Sequence, residues 1–522
     1  MQQPSYFMGL ELGSTRIKAV LTDSVFRPVA SGDFTWDSHM EGGIWTYSLD
    51  EVWYGVRTAV SSLLNIAEAQ GICASNICSI GISAMMHGYL AFDRFNHLLV
   101  PFRTWRNTVT GPAAEELSEL FGFNIPQRWS IAHLHQALRN GESHVKEVAF
   151  LTTLAGYVHW KLTGRRVIGV GDASGMFPID SATCDYDQHM LDQYDALVSG
   201  VVSWHLRELL PQVLPAGAHA GTLTQEGALL LDPAGRLPAG IPCCPPEGDA
   251  GTGMVATNSV SVGTGNVSAG TSVFSMIVLE NTLSRRYPEI DMVTTPSGDP
   301  VAMVHCNNCT NEINAWANVF AGFLHALGQE PDMASIFTTM FTSSMQGSRS
   351  AGGITLYNFI TGEPVAGSSV GCPLLLRDPD SKLTFADFMR AQLYSALASL
   401  KIGTDILSKE NVRIDRIFGH GGFFKTPLVG QRILAAAMHA PVSVMETAGE
   451  GGPWGMALLA AYMICKSESQ TLSDFLSRSV FSNTHCTTVD PLPEDEAGFD
   501  TFLSRYKAFL PLEHKAAAQY CN

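Results

Sequence analysis

The sequence predicts a two-domain α/β protein, and three observations carry that prediction. The chain has 522 residues, too many for one hydrophobic core and ample for two. Strand and helix patterns alternate from the N-terminus through about residue 180, as in an α/β domain. A unit of strand, small-residue turn and strand near the start recurs about 255 residues later, a weak internal repeat.

The first of these units reads Phe7-Met8-Gly9-Leu10-Glu11-Leu12, Gly13-Ser14-Thr15-Arg16, then Ile17-Lys18-Ala19-Val20-Leu21. Two apolar runs around a turn of glycine and hydroxyl residues predict a β-hairpin. Ser48-Leu49-Asp50-Glu51 is a capping box. It opens a helix with Val52, Val56, Val60, Leu63 and Leu64 on one face. Ile77 to Ser83 reads as a short apolar strand leading into Met85-Met86-His87-Gly88. A proline-rich passage from Pro238 to Pro246 delivers the chain to Gly248-Asp249-Ala250-Gly251. The domain boundary is placed there, giving residues 1–250 and 251–522.

Beyond it, Ser259 to Gly265 and Val267 to Phe274 flank and contain the second small-residue turn, Gly270-Thr271-Ser272. Phe385 to Lys409 carries Phe388, Met389, Leu393, Leu397 and Leu400 at helical spacing, a long core helix. Ile414 to Phe418 is a strand ending in Gly419-His420-Gly421-Gly422, after which Thr426 and Pro427 suit an N-cap and first helical position. Val442 to Met445 is a further strand, followed by Gly449-Glu450-Gly451-Gly452-Pro453 and a buried apolar helix over Trp454 to Cys465. The tail from Ser467 to Asn522 reads as a loop and one terminal helix.

Composition excludes several classes of function. Apolar residues make up 46% and charged residues 16%, the balance of packed globular domains. A net charge of -17 argues against nucleic acid or an anionic membrane as partner. A nucleotide user with this charge must hold phosphates through backbone N–H groups, Mg²⁺ and a few local cations. Met1 to Tyr6 has no basic or long apolar region, so no signal peptide is expected, and no window of roughly 18 apolar residues occurs. Eleven cysteines without a small-scaffold spacing suit a reducing cytoplasm. Cys306-Asn307-Asn308-Cys309 lacks a second ligand pair at zinc spacing and reads as structural. Cys243 and Cys244 are adjacent and read as buried thiols. His133 and His135 face apart on a helix and receive no role.

The two small-residue turns are the most informative feature. Gly, Ser and Thr turns expose N–H groups and hydroxyls that can cradle phosphates with little positive charge. In the first, Lys18 would add a cation and Glu11 could hold Mg²⁺ through water. Each turn alone is as readily an ordinary hairpin; two in matching positions point to phosphates. Asp249, between Gly248 and Ala250, is a carboxylate that could orient a hydroxyl and accept its proton, or a turn aspartate. The glycines at 419–422 could admit a flat base or merely pack a helix closely. A histidine such as His87 after an apolar strand is by itself as consistent with packing as with a ligand.

In this order and spacing, the segments resemble the FGGY carbohydrate kinase family over nearly the whole chain. Gly9 to Leu21 is similar to its first phosphate motif, Met86-His87-Gly88 to a sugar-contacting segment, and Trp105-Arg106-Asn107 to a second. Gly248-Asp249 resembles the catalytic pair, Gly270-Thr271-Ser272 the second phosphate motif, and Gly421-Gly422 the adenosine motif. Glu450 to Leu458 looks like the stretch that closes the nucleotide domain. The resemblance implies two ribonuclease-H-like, actin-like ATPase domains around a closing cleft, the first binding sugar and the second nucleotide. It implies ATP and Mg²⁺ as cofactors, with Asp249 as general base and Glu11 as metal ligand. Gly13, Ser14, Thr15 and Lys18 would meet the phosphates from one side and Gly270, Thr271 and Ser272 from the other. Gly421, Gly422 and Phe423 would lie near adenosine, and Met86, His87, Trp105 and Asn107 would hold the sugar. A homodimer is suggested by analogy alone.

Three positions depart from the family pattern: Glu11 and Asn107 stand where Asp is usual, and Ala250 where Gln or Asn often follows the catalytic Asp. The resemblance implies phosphorylation of a small ketose at its terminal hydroxyl, D-xylulose to D-xylulose 5-phosphate. The alternatives are L-ribulose, another polyol or a sugar acid, or, in a different class, a non-catalytic sugar-binding regulatory protein.

Overall fold

The computed structural model describes residues 5–449 and 451–520. Two sheets organise the chain, and the repeat seen in the sequence reappears in their topology. The first runs Glu247–Gly248, Ile77–Ala84, Tyr6–Leu12, Arg16–Thr22, Pro28–Thr35. Its last three strands form an antiparallel meander, and the first two lie parallel to Tyr6–Leu12. The second contains Val442–Met445, Arg416–His420, Thr264–Ala269, Val273–Val278 and Pro300–Cys306 in the same relative order. There too a meander is continued by two parallel strands. Strands Asp291–Thr294 and Cys486–Val489 extend its two edges.

Local sequence explains most of these elements. Ser48 caps the helix Leu49–Ala69 by accepting the Glu51 N–H at 3.1 Å. That helix buries Val52, Val56, Val60, Leu63 and Leu64 against the first meander. The helix Phe385–Lys409 has the predicted bounds, and its Thr384 Oγ1 caps Asp387. It packs on the second sheet.

Two expectations need correction. The helix expected after Thr426 and Pro427 starts at Val429, preceded by Leu428 in the left-handed region at φ 65°. The tail holds more than a loop and the helix Pro493–Ala517, because Cys486–Val489 pairs with Val442–Met445 as an edge strand. The helix Gly451–Cys465 packs on the first sheet, beside the helix Asp249–Ala256. Glu450 itself lies outside the described residues.

Glycines allow that docking. A Cβ on Gly9 would sit 2.1 Å from the Pro453 carbonyl oxygen and 2.4 Å from the Ala457 nitrogen. The helix therefore rests backbone to backbone on the central strand. Burial from Pro453 through Tyr462 on this apolar helix follows. No helix among the described residues is long and apolar enough to cross a membrane.

Candidate active site

Five sequence-predicted segments meet because each follows the carboxyl end of a strand in a parallel pair. Gly13 follows Leu12, Met85 follows Ala84, Asp249 follows Gly248, Gly270 follows Ala269 and Gly421 follows His420. Open α/β sheets gather ligands at that edge. A cleft of about 1030 Å³ opens there, lined by Glu11, Ser14, Met86, His87, Trp105, Asn107 and Asp249 from one side and by Ser272 and His305 from the other.

In the first turn the carbonyls are tied back. Trp36 Nε1 donates to Gly13 O at 2.8 Å, Tyr47 Oη to Ser14 O at 2.6 Å and Trp36 N to Thr15 O at 3.2 Å. The N–H groups of Ser14 and Thr15 donate to no acceptor among the described residues. They are the free donors that a phosphate requires. Trp36 and Tyr47, with ring centroids 4.3 Å apart and planes tilted by 33°, were not anticipated; their partners are too remote in sequence for a local signal. Trp105 Nε1 donates to Ser14 Oγ at 3.2 Å, linking the phosphate turn to a predicted sugar contact.

Glu11 and Lys18 are directly opposed across the hairpin. Lys18 makes no ion pair within 4.0 Å among the described residues, so its charge remains available. Burial, and then the Asp249 carboxylate, push Glu11 up to about 8, offset partly by Thr252 and Lys18. Gly452 comes so close that a Cβ there would overlap Glu11 Oε2 at 1.7 Å. Two carboxylates, Glu11 and Asp249, partly buried on the wall of one cleft, fit a divalent cation. No cluster of three or more His, Cys, Asp or Glu side chains suited to a metal exists among the described residues. Mg²⁺ retains water and phosphate ligands, so one carboxylate suffices.

Asp249 begins the helix Asp249–Ala256, and its Oδ1 accepts the Met86 N–H at 3.2 Å. Burial raises its carboxyl to about 6, with backbone N–H groups pulling the other way. Thr252, one turn on, donates to Asp249 O at 3.1 Å and approaches Glu11 Oε2 at 3.5 Å. Behind this group lie two more buried carboxyls. Glu247 accepts the Gly171 and Asp172 N–H groups at 3.3 and 2.9 Å. Asp172 Oδ2 accepts from Thr153 Oγ1 at 2.6 Å, while its Oδ1 has no partner among the described residues.

Burial is the main cause lifting Asp172 to about 7 and Glu247 to about 8. The folded protein therefore holds the Asp172 proton where the unfolded chain releases it, so this group's contribution to stability declines from about pH 4 to about pH 7. Asp172→Asn mimics the neutral acid. Its melting temperature relative to the parent should rise between pH 4.5 and about 7 and level off above that in ligand-free thermal melts. A pH-independent difference would show that Asp172 titrates normally.

On the sugar side, His87 and Gly88 both hold left-handed backbone, at φ 69° and 87°. For histidine that conformation is strained, and strain of this kind gathers at functional sites. His87 Nδ1 lies 3.2 Å from Gly175 O, which assigns the proton to Nδ1 and leaves Nε2 as an acceptor. Burial, then Arg128, keep the ring neutral. His305, also neutral through burial at about 4, lines the opposite wall. Arg128 pairs with Asp291, and Asn124 Nδ2 donates to Asp291 Oδ1 at 2.9 Å. These contacts join the two halves at the mouth of the cleft; nothing in the sequence signalled them.

Two predicted contacts are altered by the structure. Phe423 is fully buried, edge-on to Phe341 and Phe424, and has no surface for adenosine. Gly421, at φ 100°, packs on the backbone of Ala269, whose carbonyl oxygen would lie 2.5 Å from a Cβ, whereas Gly422 has nothing within 4 Å of its Cβ direction among the described residues. Asn107 is 2% exposed, and its amide is spent on the backbone. Oδ1 accepts from Trp45 N at 2.8 Å, and Nδ2 donates to Trp45 O at 2.9 Å and Thr104 O at 3.0 Å. A carboxylate could not donate to those carbonyls, which accounts for Asn in place of Asp. Cys306 and Cys309 are buried free thiols, in keeping with a structural role.

Fold and site together define an ATP-dependent phosphotransferase with two duplicated domains. Profiles of the FGGY family of carbohydrate kinases match the chain at residues 6–254 for the N-terminal domain and 265–464 for the C-terminal domain. The chain belongs to that family, and as such is a carbohydrate kinase with an alcohol group as acceptor. It is 21% identical over 472 residues to a xylulose kinase of Haemophilus influenzae, covering 85% of this chain and 91% of the relative. A xylulose kinase structure from Rhodospirillum rubrum superimposes with a TM-score of 0.79 at 18% identity, covering 98% of this chain and 100% of the other. A gluconate kinase structure from Lactobacillus acidophilus gives 0.79 at 15% identity, covering 99% and 100%. Such distant structures speak for the fold alone.

Proposed function

We propose that the acceptor is a small ketose, with D-xylulose first, phosphorylated on its terminal hydroxyl to D-xylulose 5-phosphate. The observation that carries the reading is the bond between Met86 N and Asp249 Oδ1, which holds the base beside the segment Met86-His87. The curated similarity to xylulose kinases supports the same choice. The division at residue 250 is proposed to separate a sugar-binding from a nucleotide-binding half, and a homodimer is proposed by analogy.

Asp249, anionic above about pH 6, accepts the proton of the attacking hydroxyl. Neutral His87 offers Nε2 to another hydroxyl of the acceptor, and Met86 and Trp105 supply apolar surface. N–H groups of Ser14 and Thr15, with Lys18, hold phosphate oxygens from one wall, and those of Thr271 and Ser272 from the other. Gly422 leaves room for adenosine, and Gly421 seats the turn on the Ala269 backbone. Mg²⁺ held by Glu11 would offset the phosphate charge. Because transfer passes through a loose transition state, this positioning and charge stabilisation supply most of the catalysis.

A second reading, a sugar-acid acceptor, is favoured by one observation. Arg286 lines the cleft and its buried Nε has no partner among the described residues. ADP release with Mg-ATP is the test, across D-xylulose, L-xylulose, D-ribulose, L-ribulose, glycerol, erythritol and gluconate. Preference for D-xylulose is the expected result. Turnover with gluconate alone would replace the first reading by the second.

A further inference from the structure

We propose that Glu363 is a positioning residue for the second phosphate turn, holding the segment Asn307–Thr310 that in turn aims the N–H groups of Thr271 and Ser272 into the cleft. The inference rests on the reading of Gly270–Ser272 as a phosphate clamp.

Glu363 is fully buried. Its Oε1 accepts Asn307 N at 3.3 Å, and its Oε2 accepts Asn308 N and Asn308 Nδ2, both at 3.1 Å. No Lys or Arg pairs with it among the described residues. A buried carboxylate without a countercharge costs stability unless donors satisfy it. Here consecutive backbone N–H groups do so, forming a concave nest. Asn308 is fixed at its other end as well, where Oδ1 accepts Ile360 N at 2.9 Å and Thr361 N at 3.1 Å. The two asparagines between Cys306 and Cys309, rather than the thiols, are thus the working part of that motif.

The next two residues pass the constraint to the turn. Cys309 N donates to Thr271 O at 2.9 Å and Thr310 N to Gly270 O at 3.0 Å. Thr310 Oγ1 donates to Gly270 O at 2.7 Å. With successive carbonyls drawn to one side, the peptide N–H groups of Thr271 and Ser272 are left without acceptors among the described residues. Ser272 and Asn307 both line the cleft. The first turn is built on the same plan, with Trp36 and Tyr47 in the role that Glu363 fills through Asn307–Thr310. Glu363 touches no reacting atom; it acts through the turn.

Two variants test the brace from its two ends, Glu363→Gln and Thr310→Val. Calorimetric titration with Mg-ADP is read beside the KM values for ATP and for the acceptor. Ligand-free melting curves establish that each variant is folded. Loss of one such constraint should weaken Mg-ADP binding and raise the ATP KM by about tenfold, with the acceptor KM within about twofold. If Glu363→Gln does not fold, Thr310→Val decides. Unchanged Mg-ADP affinity in the folded variants would overturn the proposal, as would an acceptor KM rising in step with that for ATP. A parent protein with no affinity for Mg-ADP would overturn the phosphate reading as well, and is thereby distinguished from failure of the brace alone.

Discussion

Replacing Asp249 by Asn should lower turnover by about 10²–10⁴-fold and leave ATP binding unchanged. The substitution keeps the size of the side chain and an oxygen for the Met86 N–H. What it removes is the basic oxygen that takes the hydroxyl proton. The buried setting that lifts Asp249 to about 6 makes it a better base than a solvated aspartate while leaving it ionised at neutral pH. Removing that charge also relieves Glu11, whose carboxyl is raised in part by Asp249. Nucleotide affinity therefore has no reason to fall. Steady-state rates beside calorimetric nucleotide binding give the answer, and unchanged turnover would take Asp249 out of the mechanism.

The largest expected effect on stability comes from Gly9→Ala. One added methyl group would lie 2.1 Å from the Pro453 carbonyl oxygen and 2.4 Å from the Ala457 nitrogen. These are backbone atoms of one helix, so no rotamer change relieves the overlap. Overpacking of this kind costs about 1–3 kcal/mol, and a backbone obstacle places it at the upper end. Urea denaturation should show a correspondingly lower midpoint. Displacing the helix also moves Gly452 away from Glu11, so activity should fall with stability. An unchanged midpoint would mean that the contact of this helix with the central strand is not tight.

That helix also shows where sequence reasoning stops. Its burial was legible, because an unbroken apolar run has no polar face to expose. Its location was not, because a helix apolar on all sides carries no direction, and Gly9 reads only as a small residue in a strand. Both small-residue turns were legible from glycine and hydroxyl residues between apolar strands. The side chains that orient them were not, since Trp36, Tyr47 and Glu363 act over long separations. Cys486–Val489 escaped notice because a short polar strand becomes one only by pairing with Val442–Met445. The partners of the Asn107 amide were not legible, because the Trp45 carbonyl and N–H reach it only through the fold.

Phosphorus-31 NMR of the protein with Mg-ATP and D-xylulose tests the central claim most directly, since it separates transfer to a sugar from hydrolysis. The account predicts a new phosphomonoester signal growing in step with ADP. Inorganic phosphate appearing alone with ADP, for this sugar and every other acceptor tried, would contradict it.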